Sequence, residues 1–436
     1  MFIHIIIITN FRRLYTVKKI KLGMIPVVAV LLLVILATAF YPAYNPQPKN
    51  IPLAIFTQDE GIEQQGEVVN IGEEFVKKVK SNDGDEIEWH EIKNDEELKE
   101  GLENKEFIGA LVIEKDFTKK AMSSAQSILI NHKQAEMKQL IESGKLSKEE
   151  IAKMMKNQPD PSEMDEIKPE QANLEIIINQ GAEAQLSQMA TQILSKITDT
   201  MNDQISKQSV SILSENDVNV SASKIDQLTH RVKVEQTILN EVKDHQANGN
   251  AHRVMFVPIW LTSMIISVLS YLIIRNNKDN LEGENRHKLA KALPTMIVIT
   301  SIVAGFTYVY YMDWVMGFNF NNTLLTATYI SIAILGFTSL IVGFLAWIEF
   351  ATIPIFMLFL FFTMQAVMLP KQMLPTFYQN YIVPWNPFVK YATTLKDILY
   401  TGGSLGSGGT VWMFASFAII GLGLLVISIY TKYKKA

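Results

Sequence analysis

Apolar runs of about 20 residues constrain the fold of this chain more than any other feature. There are six: Met24 to Tyr41, Val254 to Ile274, Leu293 to Tyr311, Leu325 to Trp347, Ile353 to Leu369 and Val411 to Tyr430. A helix of this length crosses the hydrocarbon core of a bilayer and satisfies its own backbone hydrogen bonds there. The sequence therefore predicts an α-helical multispanning membrane protein with about six transmembrane helices.

A polar stretch between the first and second runs predicts a water-facing domain. Hydrophobic residues make up 48% of the chain and the mean hydropathy is +0.13, yet 19% of the residues are charged, which is high for a wholly embedded protein. We divide the chain into a cytoplasmic amphipathic start (1–23), the first transmembrane helix (24–44), an extracytoplasmic α/β domain with long helices (45–252) and a five-helix transmembrane permease-like domain (253–436).

Basic residues predict the orientation, because cytoplasmic loops of membrane proteins are enriched in Lys and Arg. They cluster before the first run (Arg12, Arg13, Lys18, Lys19, Lys21), after the second (Arg275, Lys278, Arg286, Lys288, Lys291) and after the last (Lys432, Lys434, Lys435). All three clusters fall on one side if the spans alternate, so we expect both termini in the cytoplasm and the α/β domain outside. The first run could alternatively be a cleaved secretory signal ending near Ala37-Thr38-Ala39, which would still export the following domain.

The polar domain alternates between strand and helix patterns. The predicted strands are Ile51 to Phe56, Ile87 to Trp89, Phe107 to Ile113 and Leu174 to Ile178, and the predicted helices are Val68 to Val79 and Asp95 to Leu102. A capping-box pattern at Ser147 predicts a charged helix that ends by Pro159. Further on, a three- or four-residue apolar repeat predicts a long helix with one stripe, formed by Leu186, Met189, Ile193, Ile197, Met201 and Ile205. This order is typical of a small α/β sheet with helices packed on it.

Patterns typical of catalysis are missing from the sequence. There is no cysteine, and the segment from Ser143 to Ser147 lacks the upstream glycine and the hydroxyl after lysine that a phosphate-binding loop requires. Glu86, Glu88 and His90 could hold a metal ion on one strand face, but a solvated polar face is the preferred interpretation. We therefore predict no enzyme activity, no catalytic residue, no cofactor and no metal. A net charge of −4 argues against a nucleic-acid partner.

Several short motifs follow one another in a characteristic order: Ile51 to Gly61, Val69-Asn70-Ile71-Gly72, Trp89, Gly101, Gly109 to Ile113 and Asp116-Phe117. Together they resemble the opening of the YhgE/Pip (phage infection protein) family of membrane proteins. The distal half is similar to type-2 ABC exporter permeases, through Met373-Leu374-Pro375, Phe377-Tyr378, Val383-Pro384 and Leu395 to Gly402. The resemblance implies a bacterial, Gram-positive cell-membrane protein. It also implies a separate cytoplasmic ATPase and assembly as a homodimer or heterodimer.

The sequence and the resemblance together predict the permease subunit of an ABC-type exporter for a lipid-like, amphipathic or peptide substrate. The alternative is a non-transporting surface receptor or scaffold, such as a phage-adsorption protein or an accessory subunit of a type VII-like secretion system. The bilayer is a partner in either case.

Three sets of residues are candidates for function. Neutral polar residues inside the spans would line a substrate path or join helices: Thr300, Ser301, Thr338, Ser339, Thr363 and Gln365. Basic flanks would contact the ATPase or anionic lipids: Arg12, Arg13, Arg275, Lys278, Arg286 and Lys288. Asn386 and Pro387 predict an outer interfacial helix with Phe388, Tyr391, Leu395, Ile398 and Leu399 on its apolar face and Lys390, Lys396 and Asp397 toward water.

Glycines at helical spacing predict tight packing in the fourth span. Gly336 and Gly343 lie seven residues apart, on the same face of the predicted helix, where they would let a neighbouring helix approach closely.

Overall fold

The structure is a computed structural model that describes residues 48–64, 67–81, 86–143, 167–225 and 228–433. Its strands are β1 (Ile51–Thr57), β2 (Ile62–Gln64), β3 (Glu67–Val69), β4 (Ile87–Ile92), β5 (Gly109–Ile113), β6 (Ala172–Asn179) and β7 (Val232–Leu239). Its helices are α1 (Ile71–Ser81), α2 (Asp95–Glu103), α3 (Phe117–Glu142), α4 (Ala184–Glu215), α5 (Ala222–Ile225), α6 (Ala251–Val254), α7 (Phe256–Asn277), α8 (Gly283–Trp314), α9 (Thr323–Ile348), α10 (Thr352–Met368), α11 (Pro387–Tyr400) and α12 (Thr410–Thr431). The first predicted span and the charged helix predicted from Ser147 lie outside the described residues.

Five strands form the sheet of the α/β domain in the order β4-β1-β5-β6-β7. β1 pairs in parallel with β4 and β5, β6 runs antiparallel to β5, and β7 runs parallel to β6. The four predicted strands are confirmed as β1, β4, β5 and β6. β7 was not predicted from the sequence.

The two faces of the sheet bury alternate residues of β1. Leu53 and Ile55 pack in a cluster with residues of α1, α3 and α4. Ala54 and Phe56 pack on the opposite face with Leu98 of α2. This alternation follows from the two-residue period of a strand, and it places helices on both faces as a mostly parallel sheet requires.

The long helix after Gly181 is confirmed as α4, although its buried stripe is rotated from the predicted one. Leu186, Met201 and Ile205 are buried as expected, with at most 1% exposure, but Met189, Ile193 and Ile197 are only half-buried. Ala190, Leu194 and Thr198 occupy the buried side in the middle of the helix instead. From Leu186 to Ile205 the buried side of α4 packs in one cluster with the sheet and α3, and Leu213 near its end packs with Ala125 and Ile128 of α3.

The five predicted distal spans correspond to α7, α8, α9, α10 and α12, with ends within about three residues of the prediction except at the start of α8. α8 begins at Gly283 rather than Leu293, because the charged residues before the apolar run continue the helix. By length and apolar composition, four described stretches could cross a membrane: Ala251–Asn277, Gly283–Trp314, Thr323–Met368 and Ser407–Thr431.

The 46-residue stretch Thr323–Met368 contains two of the predicted spans, and the chain reverses between them. Glu349 has a φ of 55°, which breaks the helix between α9 and α10. The rings of Phe344 and Phe356 contact across this break, with centroids 5.6 Å apart. In a straight helix these two positions would be about 18 Å apart.

Three polar connections lie together at one end of the helix bundle: the α7–α8 turn, the α9–α10 turn and the end of α12. His287 Nδ1 lies 2.8 Å from the Tyr430 hydroxyl. Lys432 Nζ lies 3.1 Å from a carboxylate oxygen of Glu349. We call this region, residues 275–291, 348–351 and 430–433, the basic end. Lys432, the described member of the basic cluster after the last span, therefore lies on the same side of the bundle as the cluster after the second span.

Candidate functional site

The neutral polar residues predicted inside the spans are distributed over three helices. Thr300 is half-buried, and the other five, Ser301, Thr338, Ser339, Thr363 and Gln365, are at most 4% exposed. The hydroxyls of Ser301 and Thr363 donate to carbonyl oxygens of their own helices, at 2.8 Å in each case. The backbone carbonyl of Thr338 accepts a hydrogen bond of 3.0 Å from Ser267 on α7. These contacts are typical of helix packing, while a substrate-path role for these residues stays a prediction.

Glycines allow α9 and α12 to touch backbone to backbone. A Cβ atom on Gly343 would lie 2.8 Å from the Gly421 carbonyl oxygen, and one on Gly421 would lie 2.0 Å from that of Ser339. A Cβ atom on Gly336 would lie 2.6 Å from Cδ1 of the Phe414 ring on α12. The close approach predicted at Gly336 and Gly343 is therefore confirmed, and small residues are what permit it.

The helix predicted from Asn386 exists as α11, and its apolar face is buried in protein. The Asn386 side chain accepts hydrogen bonds from the backbone of Phe388 and Val389, as a helix cap does. The five predicted residues, Phe388, Tyr391, Leu395, Ile398 and Leu399, are at most 2% exposed. Phe388 stacks edge-on against Trp260 of α7, with centroids 4.6 Å apart. α11 is thus a component of the bundle core rather than a connector lying on it.

Lys396 and Asp397 of α11 do not face water, so that prediction was wrong. Their side chains are only 15% and 20% exposed, and each pairs with a residue of the α/β domain. Lys105 Nζ lies 2.6 Å from an Asp397 carboxylate oxygen. The sequence could not reveal this, because the partner lies 292 residues away.

A second ionic contact joins the α/β domain to two helices of the bundle at the same place. Glu183, just before α4, lies 2.5 Å from Arg253 of α6 through one oxygen and 3.2 Å from Lys396 through the other. The three side chains are between 7% and 15% exposed. A carboxylate this buried is stable only with close cationic partners. We call the set Lys105, Glu183, Arg253, Lys396 and Asp397 the junction.

Tyr400, the last residue of α11, hydrogen-bonds to the segment that leads into α6. The buried Tyr400 hydroxyl accepts a hydrogen bond from the backbone of Ala251 and donates one to the carbonyl of Gln246, both at 3.2 Å. Burial raises the pKa of the Tyr400 phenol, so the proton that it donates is retained. The linker before α6 is therefore held against the end of α11.

Residues 22–430 match the family model described as ABC-2 family transporter protein. The chain belongs to the ABC-2 transporter family. Comparison with curated proteins and with solved structures found no match.

The match to the ABC-2 transporter family covers the α/β domain as well as the bundle. Members of this family are membrane-embedded subunits of ABC-type transporters that work with a separate ATPase. The family is thus in agreement with the predicted type-2 ABC permease, at the level of the superfamily.

Asp59 of this ABC-2 transporter connects two of the short motifs singled out in the sequence. Its carboxylate accepts hydrogen bonds from the backbone of Gly72 and Thr118, at 3.1 Å each, and from the Thr118 hydroxyl at 2.5 Å. Asp59 therefore caps the first turns of α1 and α3 together. The short loops after β1 and β5 therefore meet at this residue.

The basic residues proposed for contact with the ATPase have different roles at the basic end. Arg286 donates two hydrogen bonds, of 3.1 and 2.9 Å, to the Leu281 carbonyl and thereby closes the α7–α8 turn. The Arg275 guanidinium lies 5.5 Å from the Phe350 ring centroid. Lys278 and Lys288 are exposed, and Lys288 pairs with Glu284 on the same helix. Arg12 and Arg13 lie outside the described residues.

Glu88 and His90 of β4, which were considered for metal binding, make other contacts in the transporter. His90 packs against the Phe107 ring, with centroids 5.1 Å apart, and its Nε2 is 3.7 Å from Glu88. Across the described part of the chain, no group of three or more ligand-type side chains converges on one point.

The sequence did not single out Lys105, Glu183 or Arg253 as functional residues. The one available signal was their position: Glu183 follows Gly181 at the start of a long helix, and Arg253 opens a span. Pairing between residues 70 positions apart cannot be read from either local pattern.

Proposed function

We propose that this ABC-2 transporter is an exporter subunit, with the basic end in the cytoplasm and the α/β domain outside the cell. The match over residues 22–430 is the observation that carries the proposal. The orientation is supported by Lys278, Lys288, Lys291 and Lys432, which all lie at the basic end, as expected of cytoplasmic loops.

A separate ATPase would dock on the basic end. The α7–α8 turn borders an open cleft of about 780 Å³, lined by Lys288 together with Asp279, Leu281 and Glu282. A partner surface with matching charges could insert there, whereas Arg275 and Arg286 are engaged within the protein. Lys278 and Lys288 are therefore the basic residues best placed to contact the ATPase.

The cargo would be lipid-like or amphipathic. No Asp, Glu, Lys or Arg occurs within α9, α10 or α12, or from Phe256 to Ile274 of α7. Transporters that move ions or protons through the bilayer usually carry ionisable residues at this depth. Membrane-spanning helices without ionisable side chains are better suited to a substrate with a large apolar part.

We also place the transporter in the YhgE/Pip branch. This finer assignment is supported by the two motif segments, around Asp59 and around Thr118, which meet in one hydrogen-bonded cap. Shared spacing would be expected where two segments must reach the same carboxylate.

Purification with native neighbours tests the export proposal. A co-purifying nucleotide-binding protein, whose ATPase rate changes when the transporter is added, is the expected result. A set of partners that lacks any ATPase would contradict export and favour the receptor or scaffold.

Charge reversal tests the docking surface. Lys278→Glu with Lys288→Glu should abolish the change in ATPase rate, because both side chains are exposed at the cleft or beside it. The matched control is Lys196→Glu with Lys207→Glu, which makes the same change of charge on the exposed side of α4. Equal effects of the two double variants would exclude docking at this turn.

A further inference from the structure

A cavity of about 270 Å³ lies at the junction, between the α/β domain and the helix bundle. Its polar wall comes from Lys105 and Glu183 of the α/β domain, His252 and Arg253 of α6, and Lys396 of α11. Lys371, in the turn after α10, is exposed and lines the same cavity, which places it at the mouth.

The charges around this cavity do not balance. Four cations line it: Lys105, Arg253, Lys371 and Lys396. They are opposed by two carboxylates, Glu183 in the wall and Asp397 beside Lys105. Four positive and two negative charges leave two positive charges in excess. Among the described residues, Lys371 has no acidic partner that would neutralise it.

Two buried nitrogen atoms at the cavity have no hydrogen-bond partner. His252 Nδ1 and Arg253 Nε are both unbonded, although these residues are only 3% and 5% exposed. An arginine Nε–H can only donate, and leaving it unbonded in a buried position is unfavourable. An acceptor in the cavity would satisfy it.

The rest of the wall is mostly apolar, and the helix bundle supplies most of it, together with Ile108, Ala182 and Leu186 of the α/β domain. Val367 and Leu369 come from the end of α10 and the residue after it, and Val389 and Ala392 come from α11. The volume is sufficient for a headgroup but lies just below the range typical of a whole drug-sized ligand. A bound molecule would therefore keep its larger apolar part outside, against the bundle.

We propose that this cavity binds the phosphate monoester headgroup of a lipid-like amphiphile. A phosphate monoester carries a charge of about −1.5 to −2 at neutral pH and offers three acceptor oxygens, which suits two unbalanced positive charges and an unbonded Arg253 Nε. The apolar wall explains why the ligand is an amphiphile rather than a free anion. That this amphiphile is the exported cargo rests on the proposed function, whereas the binding itself does not.

Binding is tested with the full chain in maltoside micelles, using dodecyl phosphate as the probe and calorimetric titration as the measurement. Dodecyl phosphate should bind, and inorganic phosphate should bind at least tenfold more weakly because it lacks the apolar chain. Dodecylphosphocholine, a zwitterion with a similar chain, should also bind at least tenfold more weakly. Equal affinity for the zwitterion would overturn the charge argument. Equal affinity for inorganic phosphate would overturn the amphiphile.

Lys371 provides the variant, because its exposed side chain can be changed without disturbing the junction. Lys371→Gln should weaken dodecyl phosphate binding about tenfold, the effect of one charge-assisted hydrogen bond, and Lys371→Arg should retain it. The matched control is Lys390→Gln on α11, which removes the same charge from a residue that does not line the cavity. Equal losses in Lys371→Gln and Lys390→Gln would refute the site. Since no ATPase is present in this assay, intact binding without export would contradict only the proposed function.

Discussion

Replacing Gly421 by alanine tests whether the contact between α9 and α12 depends on the absence of a side chain. The added Cβ would lie 2.0 Å from the Ser339 carbonyl oxygen and 2.6 Å from the Leu340 nitrogen. Ordinary contact begins near 3.4 Å, so the two backbones must separate by about 1.4 Å. Neither group is the end of a flexible side chain, so the strain cannot be relieved by a change of rotamer.

The expected cost follows from two opposing effects. Overpacking a well-packed interior costs about 1–3 kcal/mol, and a backbone-to-backbone clash belongs at the upper end of that range. Alanine is favoured over glycine inside a helix by about 1 kcal/mol. Gly421→Ala should therefore lower the free energy of unfolding by about 2 kcal/mol.

Gly423→Ala is the matched control in the same helix. A Cβ on Gly423 would meet nothing within 4 Å, so this variant keeps the gain in helix propensity of about 1 kcal/mol and has no clash. The two variants should differ by about 3 kcal/mol when the purified protein is unfolded with denaturing detergent and followed by tryptophan fluorescence. Equal unfolding free energies would refute the close approach of α9 and α12.

Two further substitutions test the polar contacts. Glu183→Gln should lower the free energy of unfolding by about 3 kcal/mol, because it leaves Arg253 and Lys396 without their shared carboxylate. Glu142→Gln, on an exposed part of α3, should change the free energy of unfolding by less than about 0.5 kcal/mol in the same assay. A similar small change in both variants would exclude a stabilising junction. Asp59→Asn should lower the free energy of unfolding by about 2 kcal/mol, since it weakens the shared cap of α1 and α3. Asp199→Asn, which changes an exposed residue of α4, should have little effect. An unchanged free energy of unfolding for Asp59→Asn would show that the cap does not stabilise the fold.

Much of the local structure could be predicted because it depends on neighbouring residues. Long apolar runs indicated α7, α9 and α12, and β1 and β5 were recognised as short apolar runs ended by polar residues. β7 was missed because most of its side chains are exposed, so that no burial pattern marks Val232–Leu239 as a strand. Its strand conformation comes from parallel pairing with β6.

The candidate site was predicted less well than the elements around it. The apolar face of α11 was identified correctly, since Asn386, Pro387 and helical spacing define it locally. The exposure of the Lys396 and Asp397 side chains was predicted wrongly, because a charged helix face is normally expected to face water. Only the α/β domain, folded onto that face, supplies the Lys105 and Glu183 that bury it.

The sequence by itself determined the apolar runs that form α7, α9, α10 and α12, the two-residue and 3.6-residue periods of the elements and the glycines that allow close packing, because these are properties of a few consecutive residues. The tertiary structure alone decided that Arg253 and Lys396 share the carboxylate of Glu183, and that four cations line one cavity. Such an arrangement depends on distances between segments that are remote in the sequence. Ion pairs that would be weak in water become strong interactions when they are buried in a low dielectric.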